Sequence, residues 1–231
     1  MQLEQAVRIS EIIVAFALIV QSVEYIRGLQ PEKSLGVISL VLSLLLLVGF
    51  YPVFLEAGLL IVSVILLRRF QGPYNGGSDC MTLLVLLCLF LSHVAPSRFW
   101  QEIALGYLAF QVTFSYFQSG YIKIINTDWR AGRALADVFA ITAYPVSEQT
   151  RRWANSSNQL IIMSWVVILF ELAFPFSLLN KAVLVIALFV AVIFHFANAW
   201  LFGLNRFFWI WPAGYPILFW FQSRILLPLL N

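Results

Sequence analysis

Residues 181–203 read KAVLVIALFVAVIFHFANAWLFG, and this stretch decides the fold. Lys181 is its one residue with a formal charge. A run of about 20 mainly apolar residues is long enough, as an α-helix, to cross the hydrocarbon core of a bilayer. Comparable apolar runs recur along the chain, which predicts an integral membrane protein built from helices.

The composition supports the same fold class. Of 231 residues, 61% are hydrophobic and 11% are charged, whereas about 25% are charged in an ordinary soluble domain. This balance excludes a water-soluble globular protein. The net charge of +3 is spread thinly and includes no basic block, so nucleic acid is not an expected partner.

Reading the apolar runs as spans predicts an all-α polytopic bundle of about eight transmembrane helices, forming a single transmembrane domain over residues 1–231. The predicted spans are 10–29, 34–51, 53–69, 79–95, 101–124, 159–178, 181–203 and 207–229. A charged segment, 126–158, interrupts them. Within it, Ala131 to Ala140 is predicted to be a short amphipathic helix at the membrane interface.

The count and the orientation depend on two proline-containing regions. Tyr51-Pro52 either separates two spans or kinks one, and the last span, with Pro212 and Pro216, is either one helix or two short pieces. With eight crossings and the N-terminus outside, most Lys and Arg residues fall on the cytoplasmic side. Residues 1–11 lack the pattern of a cleaved leader. We expect a bacterial inner membrane protein and leave its orientation open.

Polar side chains at membrane depth are candidates for function, because each is unfavourable unless it is paired or faces water. Six positions qualify: Glu24, Glu56, His93, Lys123, Glu171 and His195. Glu24 has Arg27 one turn away and is expected to pair with it. Glu171 has no basic neighbour at helical spacing, so it must find a partner on another helix, stay protonated or line water.

The span 101–124 carries two polar stripes. Gln111, Ser115 and Gln118 form one, and Tyr116, Ser119 and Lys123 form the other. This side of the helix is expected to face a cavity or polar neighbours rather than lipid. Lys123 itself either extends to the headgroups or has a function.

His195 and Asn198 share a face of the span 181–203. The imidazole of His195 could relay protons, bind a ligand oxygen or make a structural hydrogen bond. The two histidines and two cysteines show no zinc-site spacing, so no metal site is predicted. The aromatic run 207–212, which includes Phe208 and Trp209, is either an interfacial belt or one wall of a flat apolar pocket.

Two ordered motifs resemble a known family. The first is YFQSGYIK at 116–123 followed by NTDWRAGRAL at 126–135, and the second is HFAN at 195–198 followed by LFG at 201–203 and FFW at 207–209. Together, within 105–215, they resemble the horizontally transferred transmembrane (HTTM) family, which is related to vitamin K-dependent γ-glutamyl carboxylase. In that family a Gly-x-x-Lys motif leads into an Asp-Trp-x-x-Gly turn.

The resemblance implies a quinone or hydroquinone cofactor with Lys123 as the general base. We expect His195 and Glu171 to support this base, and the candidate residues for cofactor binding are Gln111, Gln118, Trp129, Asn198, Phe208 and Trp209. The carboxylase has a large luminal domain for its protein substrate, and these 231 residues show no counterpart. A peptide substrate would therefore be recognised by membrane loops or by a partner.

Two functions remain open at this stage. The chain is either a quinone-dependent membrane enzyme that modifies a peptide or lipid, or a non-catalytic subunit that binds and stabilises another membrane protein while retaining a lipid or quinone pocket. A transporter is less favoured, because the two halves show no inverted repeat.

Overall fold

The computed structural model of the chain describes residues 1–28, 31–69, 76–141, 148–226 and 228, and these are helical with short connections and without strands. The α-helices are α1 (Leu3–Ile26), α2 (Glu32–Val48), α3 (Pro52–Arg69), α4 (Gly76–Val94), α5 (Arg98–Ile125), α6 (Thr127–Arg130), α7 (Arg133–Ile141), α8 (Glu148–Arg151), α9 (Ser157–Ala173), α10 (Lys181–Phe202), α11 (Asn205–Ile210) and α12 (Tyr215–Phe221). The all-α prediction is confirmed for this part of the chain.

The helices group into two compact units. Residues Met1–Ala109 and Arg206–Asn231 form the first unit, and Phe110–Asn205 form the second. Helix α5 contributes its first residues to one unit and its remaining residues to the other. The side chains of Tyr116, Lys123, Trp129, Glu171 and His195 all belong to the second unit.

Among the described residues, four helical segments are long and apolar enough to cross a membrane: Leu3–Ile26, Gly77–Val94, Ser157–Leu179 and Lys181–Phe202. The apolar helices fit a membrane protein, as expected. Eight crossings stay a prediction, because the other helices are shorter or more polar than this criterion allows.

The break at Tyr51-Pro52 separates two helices. Helix α2 ends at Gly49, whose φ of 88° is left-handed, and Tyr51 follows with φ 39°. A non-glycine residue with positive φ is uncommon, and here it lets the chain reverse before Pro52 starts α3. The two predicted spans are therefore distinct helices rather than one kinked helix.

Small residues line the face of α2 that packs against α1. Its buried residues are Gly36, Ser39, Ser43 and Leu46, three of them small and spaced along one face. A Cβ built on Gly36 would lie 2.8 Å from the Tyr25 Cβ and 3.1 Å from the Ile26 backbone nitrogen. The glycine therefore allows α1 and α2 to pack with almost no side chain between them.

Two arginines satisfy polar groups of the first unit. Arg8 on α1 donates to the carbonyl oxygens of Leu46 at 3.0 Å and Leu47 at 2.6 Å, near the end of α2. Arg206 at the start of α11 pairs with Glu24 at 2.9 Å and donates to the Tyr25 hydroxyl at 3.1 Å. The partner that the structure gives Glu24 is thus Arg206, on a distant segment.

The predicted last span is divided into short pieces. A 3-10 turn over Trp211–Gly214 separates α11 from α12, and a π-helical turn over Gln222–Leu226 follows. Pro212 and Pro216 each lie in the first two positions of a helical segment, where the missing N–H is least unfavourable. Of the two forms predicted for this region, the divided one is observed.

In the second unit, α9 continues into a 3-10 turn, Phe174–Leu179, before α10 begins. The short helix predicted at 131–140 is observed as α7, whereas its position at the membrane interface stays a prediction. Its Leu135 and Phe139 pack in a buried cluster with Leu160 of α9 and Phe202 of α10. This cluster holds the segment after α5 against the two long helices that follow.

Replacement of Gly36 tests the close α1–α2 packing. We expect Gly36→Ala to lower the free energy of unfolding by about 1–3 kcal/mol, because its methyl group overlaps the backbone of α1. The measurement is thermal unfolding of detergent-purified protein followed by tryptophan fluorescence. Gly106→Ala is the matched control, since its Cβ would meet its nearest atom at an ordinary 3.6 Å. Equal melting temperatures for the two variants would contradict the packing.

Candidate functional site

An ion pair between α5 and α9 forms the centre of the second unit. Lys123 Nζ donates to both carboxylate oxygens of Glu171, at 2.8 and 2.7 Å. The side chains are 17% and 3% exposed, respectively. Glu171 therefore meets a basic partner on another helix, one of the three outcomes that its sequence context left open. The Lys123 amine is directed toward α9 and is largely shielded by the protein.

A glycine one turn before Lys123 makes this pair possible. A Cβ built on Gly120 would lie 2.8 Å from the Leu172 backbone nitrogen and 3.0 Å from the Glu171 Cβ. Any larger residue would push α9 away from α5. The spacing of the Gly-x-x-Lys motif thus has a physical cause: the glycine brings the backbones together, and the lysine reaches the carboxylate beside that contact.

The turn after α5 is fixed to the same helix. The Asn126 side chain accepts hydrogen bonds from the backbone of Asp128 and Trp129 and so caps α6. The Ser164 hydroxyl of α9 donates to the Trp129 carbonyl oxygen at 2.5 Å. Gly132 has φ 74°, and a Cβ there would lie 2.9 Å from the Ile161 nitrogen. These contacts position the indole of Trp129.

The indole of Trp129 lies beside the ion pair. Lys123 Nζ is 5.2 Å from the centre of its ring, within the range of a cation–π contact. Lys123 therefore has a carboxylate on one partner helix and an aromatic face from the following turn. Both neighbours stabilise a positive charge on the amine, and the ring also provides a flat apolar surface.

A second polar pair lies further along the same face of α5. The Tyr116 hydroxyl is 2.8 Å from His195 Nε2 of α10, and both side chains are buried. The Tyr116 ring stacks on Phe174 with centroids 4.0 Å apart. Since Tyr116 and Lys123 are seven residues apart on a helix, the two pairs are separated by about 10 Å along its axis.

The other predicted binding residues are distributed as follows. Gln111 and Asn198 are partly buried within the second unit, whereas Gln118 is exposed. Phe208 and Trp209 belong to the first unit, where Trp209 packs edge-on against Phe16 at 5.1 Å. The structure thus brings Lys123, Glu171 and Trp129 together directly, and it links His195 to the same helix through Tyr116.

Sequence reasoning did not include Tyr116 and Ser164 among the site residues. Tyr116 had a usable signal, because it lies on the polar stripe of Lys123. Ser164 had none, since its role depends on which backbone carbonyl α9 meets. Which side chains pair between α5, α9 and α10 depends on how these helices are rotated relative to one another. The spacing of residues within one helix gives no information on that rotation.

The HTTM domain model matches residues 92–222, which is more than half of the chain and includes both motifs. The chain belongs to the HTTM family. This match extends beyond the 105–215 range that the motifs indicated. No curated protein and no solved structure matches the chain.

The ion pair predicts strong coupling between its partners. We expect Lys123→Met to destabilise the protein by about 3–5 kcal/mol, because it leaves Glu171 buried without its partner. The double variant Lys123→Met/Glu171→Gln should recover most of this loss. Melting temperatures of the two single variants and the double variant provide the cycle. Additive effects, with no recovery, would show that the two side chains do not interact.

The Tyr116–His195 hydrogen bond predicts a smaller effect. Tyr116→Phe keeps the ring stacked on Phe174 but removes the hydroxyl, so we expect a loss of about 0.5–1.5 kcal/mol in unfolding free energy from the hydrogen bond that is removed. Tyr121→Phe on the same helix is the control, because Tyr121 is 52% exposed. Thermal unfolding compares the two, and a loss confined to Tyr121→Phe would contradict the assignment.

Proposed function

We propose that this HTTM-family membrane protein is a quinone-dependent enzyme in which Lys123 is the general base toward a bound hydroquinone. Its substrate would be a peptide or lipid near the membrane interface of a bacterial inner membrane. The observation that supports this most is the contact of the Lys123 amine with both oxygens of Glu171 in a largely buried setting.

A general base needs an amine without its extra proton. The short contact with Glu171 provides a route, because a proton can move from Lys123 to the carboxylate within one hydrogen bond. In water, the pair of charged side chains is much more stable than the pair of neutral ones. In a medium of low dielectric constant, this difference in free energy is far smaller. Lys123 could then accept a hydroxyl proton from a hydroquinone.

The neighbouring groups suit a flat apolar ligand. The Trp129 ring borders Lys123 and could pack against a quinone ring, since such ligands need apolar walls and few polar groups. His195 and Glu171 would act as supporting residues, and Gln111, Gln118 and Asn198 would donate hydrogen bonds. For Phe208 and Trp209, cofactor binding rests on the family resemblance alone.

A second candidate is favoured by one face of α10. Phe189, Ile193, Phe196 and Trp200 recur at helical spacing, and each is more than half exposed. Such a stripe fits a helix of another membrane protein as well as it fits lipid. In this case the chain would be a non-catalytic subunit, and the Lys123–Glu171 pair would serve to hold α5 against α9.

The decisive experiment is an analysis of bound small molecules. The chain is purified in mild detergent, extracted with organic solvent and examined by mass spectrometry. We expect a quinone in the wild type and at least tenfold less, about the effect of losing one charge-assisted hydrogen bond, in Lys123→Ala. His195→Ala is examined in parallel. Lys181→Ala is the matched control, because Lys181 is exposed at the start of α10.

Lys123→Arg separates binding from proton transfer. Arginine keeps the positive charge but does not lose its proton. This variant should therefore retain the quinone but, after dithionite has reduced it to the hydroquinone, fail to form the hydroquinone anion that absorption spectroscopy detects. A wild-type protein without quinone that co-purifies with another membrane protein would reject the enzyme and support the subunit.

A further inference from the structure

Three potential metal ligands converge in the first unit, away from the site at Lys123. Glu11 lies on α1, Glu56 in the second turn of α3, and His93 in the last turn of α4. His93 Nε2 is 2.7 Å from Glu11 Oε1 and 3.6 Å from Glu56 Oε1. One ligand atom from each residue lies within 4.8 Å of the other two.

Glu56 supplies an independent indication of a ligand. Its side chain is 0% exposed, and within the described part of the chain neither carboxylate oxygen has a hydrogen-bond donor. A carboxylate in this state is strongly unfavourable unless it is protonated or binds a cation. Glu56 Oε1 lies 3.6 Å from His93 Nε2, and a carboxylate oxygen of Glu56 lies within 4.8 Å of one of Glu11, so a cation between the three side chains would satisfy it.

The charges around the cluster favour a cation. Arg8 pairs with the second oxygen of Glu11 at 2.8 Å, and the same guanidinium binds the end of α2. One arginine therefore accompanies two carboxylates and an imidazole. The two carboxylates and Arg8 leave one net negative charge, which a bound divalent cation would more than offset without requiring a proton on Glu56.

The cluster also has access from outside. Glu11 and His93 line a cavity of about 300 Å³ together with Arg8, Ser92 and Gln101. The His93 side chain is 27% exposed, whereas those of Glu11 and Glu56 are buried. A cation could enter through this cavity and retain water on the side that faces it.

We propose that Glu11, Glu56 and His93 bind a divalent first-row transition metal ion of the Zn²⁺, Mn²⁺ or Fe²⁺ class, with open coordination positions toward the cavity. Two ligands about 2.1 Å from a metal at a tetrahedral angle are about 3.4 Å apart, and the observed separations lie on both sides of this value. One imidazole and two carboxylates suit these ions better than Mg²⁺, Ca²⁺ or Cu⁺. The ion would join α1, α3 and α4, a role separate from the proposed function at Lys123.

Metal titration of the full-length protein tests this proposal. The detergent-purified chain is treated with a chelator, the chelator is removed, and Zn²⁺ or Co²⁺ is added. We expect binding of one ion per chain, a higher melting temperature and the visible absorption of Co²⁺ bound by nitrogen and oxygen ligands. No absorption band and no shift in melting temperature would overturn the proposal.

Matched variants locate the ion. Glu56→Gln keeps the volume of the side chain and removes a charge, so the metal-free variant should fold. It should bind Co²⁺ at least about tenfold more weakly, since loss of even an outer partner of a ligand has this effect. His93→Gln should behave alike. Glu102→Gln is the control, because Glu102 pairs with Arg98 outside the cluster. Wild-type affinity in Glu56→Gln would mean surface binding only and would reject the site.

Discussion

A charged side chain among apolar helices is unfavourable unless it is paired or faces water, and pairing with another part of the chain explains the contacts of Lys123, Arg206 and Arg8. Lys123 binds Glu171 in one unit, while Arg206 binds Glu24 and Arg8 binds Glu11 in the other. The first two pairs join different helices. Arg8 and Glu11 are both on α1, but the Arg8 guanidinium also binds the end of α2. The few charges therefore act as the connections that select which helices are neighbours.

The close contacts of the backbone follow from the same requirement. An ion pair needs its two helices at a fixed distance, and a glycine at the contact allows the shortest distance between two helix backbones. Gly120 and Gly132 both lie against the backbone of α9, on either side of the α5–α6 junction. The family motif can thus be understood as one device, in which two glycines hold α9 in place and the residues between them, Lys123 and Trp129, acquire a defined environment.

The sequence predicted the positions of the helices better than it predicted which side chains pair between them. Apolar length and the proline at position 52 were sufficient to predict that the long helices exist, and amphipathic spacing was sufficient for α7. The predicted start of α1, residue 10, was too late, because the charged residues Glu4, Arg8 and Glu11 precede the apolar run although the helix begins at Leu3. Periodicity also identified Lys123 and Glu171 as residues in need of compensation. It could not pair them, because the spacing within a helix defines its faces but not its rotation against another helix. Glu24 illustrates this limit, since its observed partner is 182 residues away rather than the adjacent Arg27.

The same limit applies to the acidic cluster. Glu11, Glu56 and His93 are on three helices, and no short-range spacing relates them. Only the antiparallel order of α3 and α4, with the start of one beside the end of the other, brings Glu56 and His93 to the level of Glu11. A search for ligand spacing in the sequence finds zinc fingers and similar local motifs, and it misses sites assembled from helix ends.

The contact of Arg8 with the end of α2 has a consequence for where that helix can end. The last carbonyl oxygens of a helix have no donor within the helix, so they are unfavourable in an apolar setting unless water or a side chain donates to them. Here the guanidinium of Arg8 donates to the carbonyl oxygens of Leu46 and Leu47. Helix α2 can therefore end among apolar groups without depending on water for these two carbonyl oxygens.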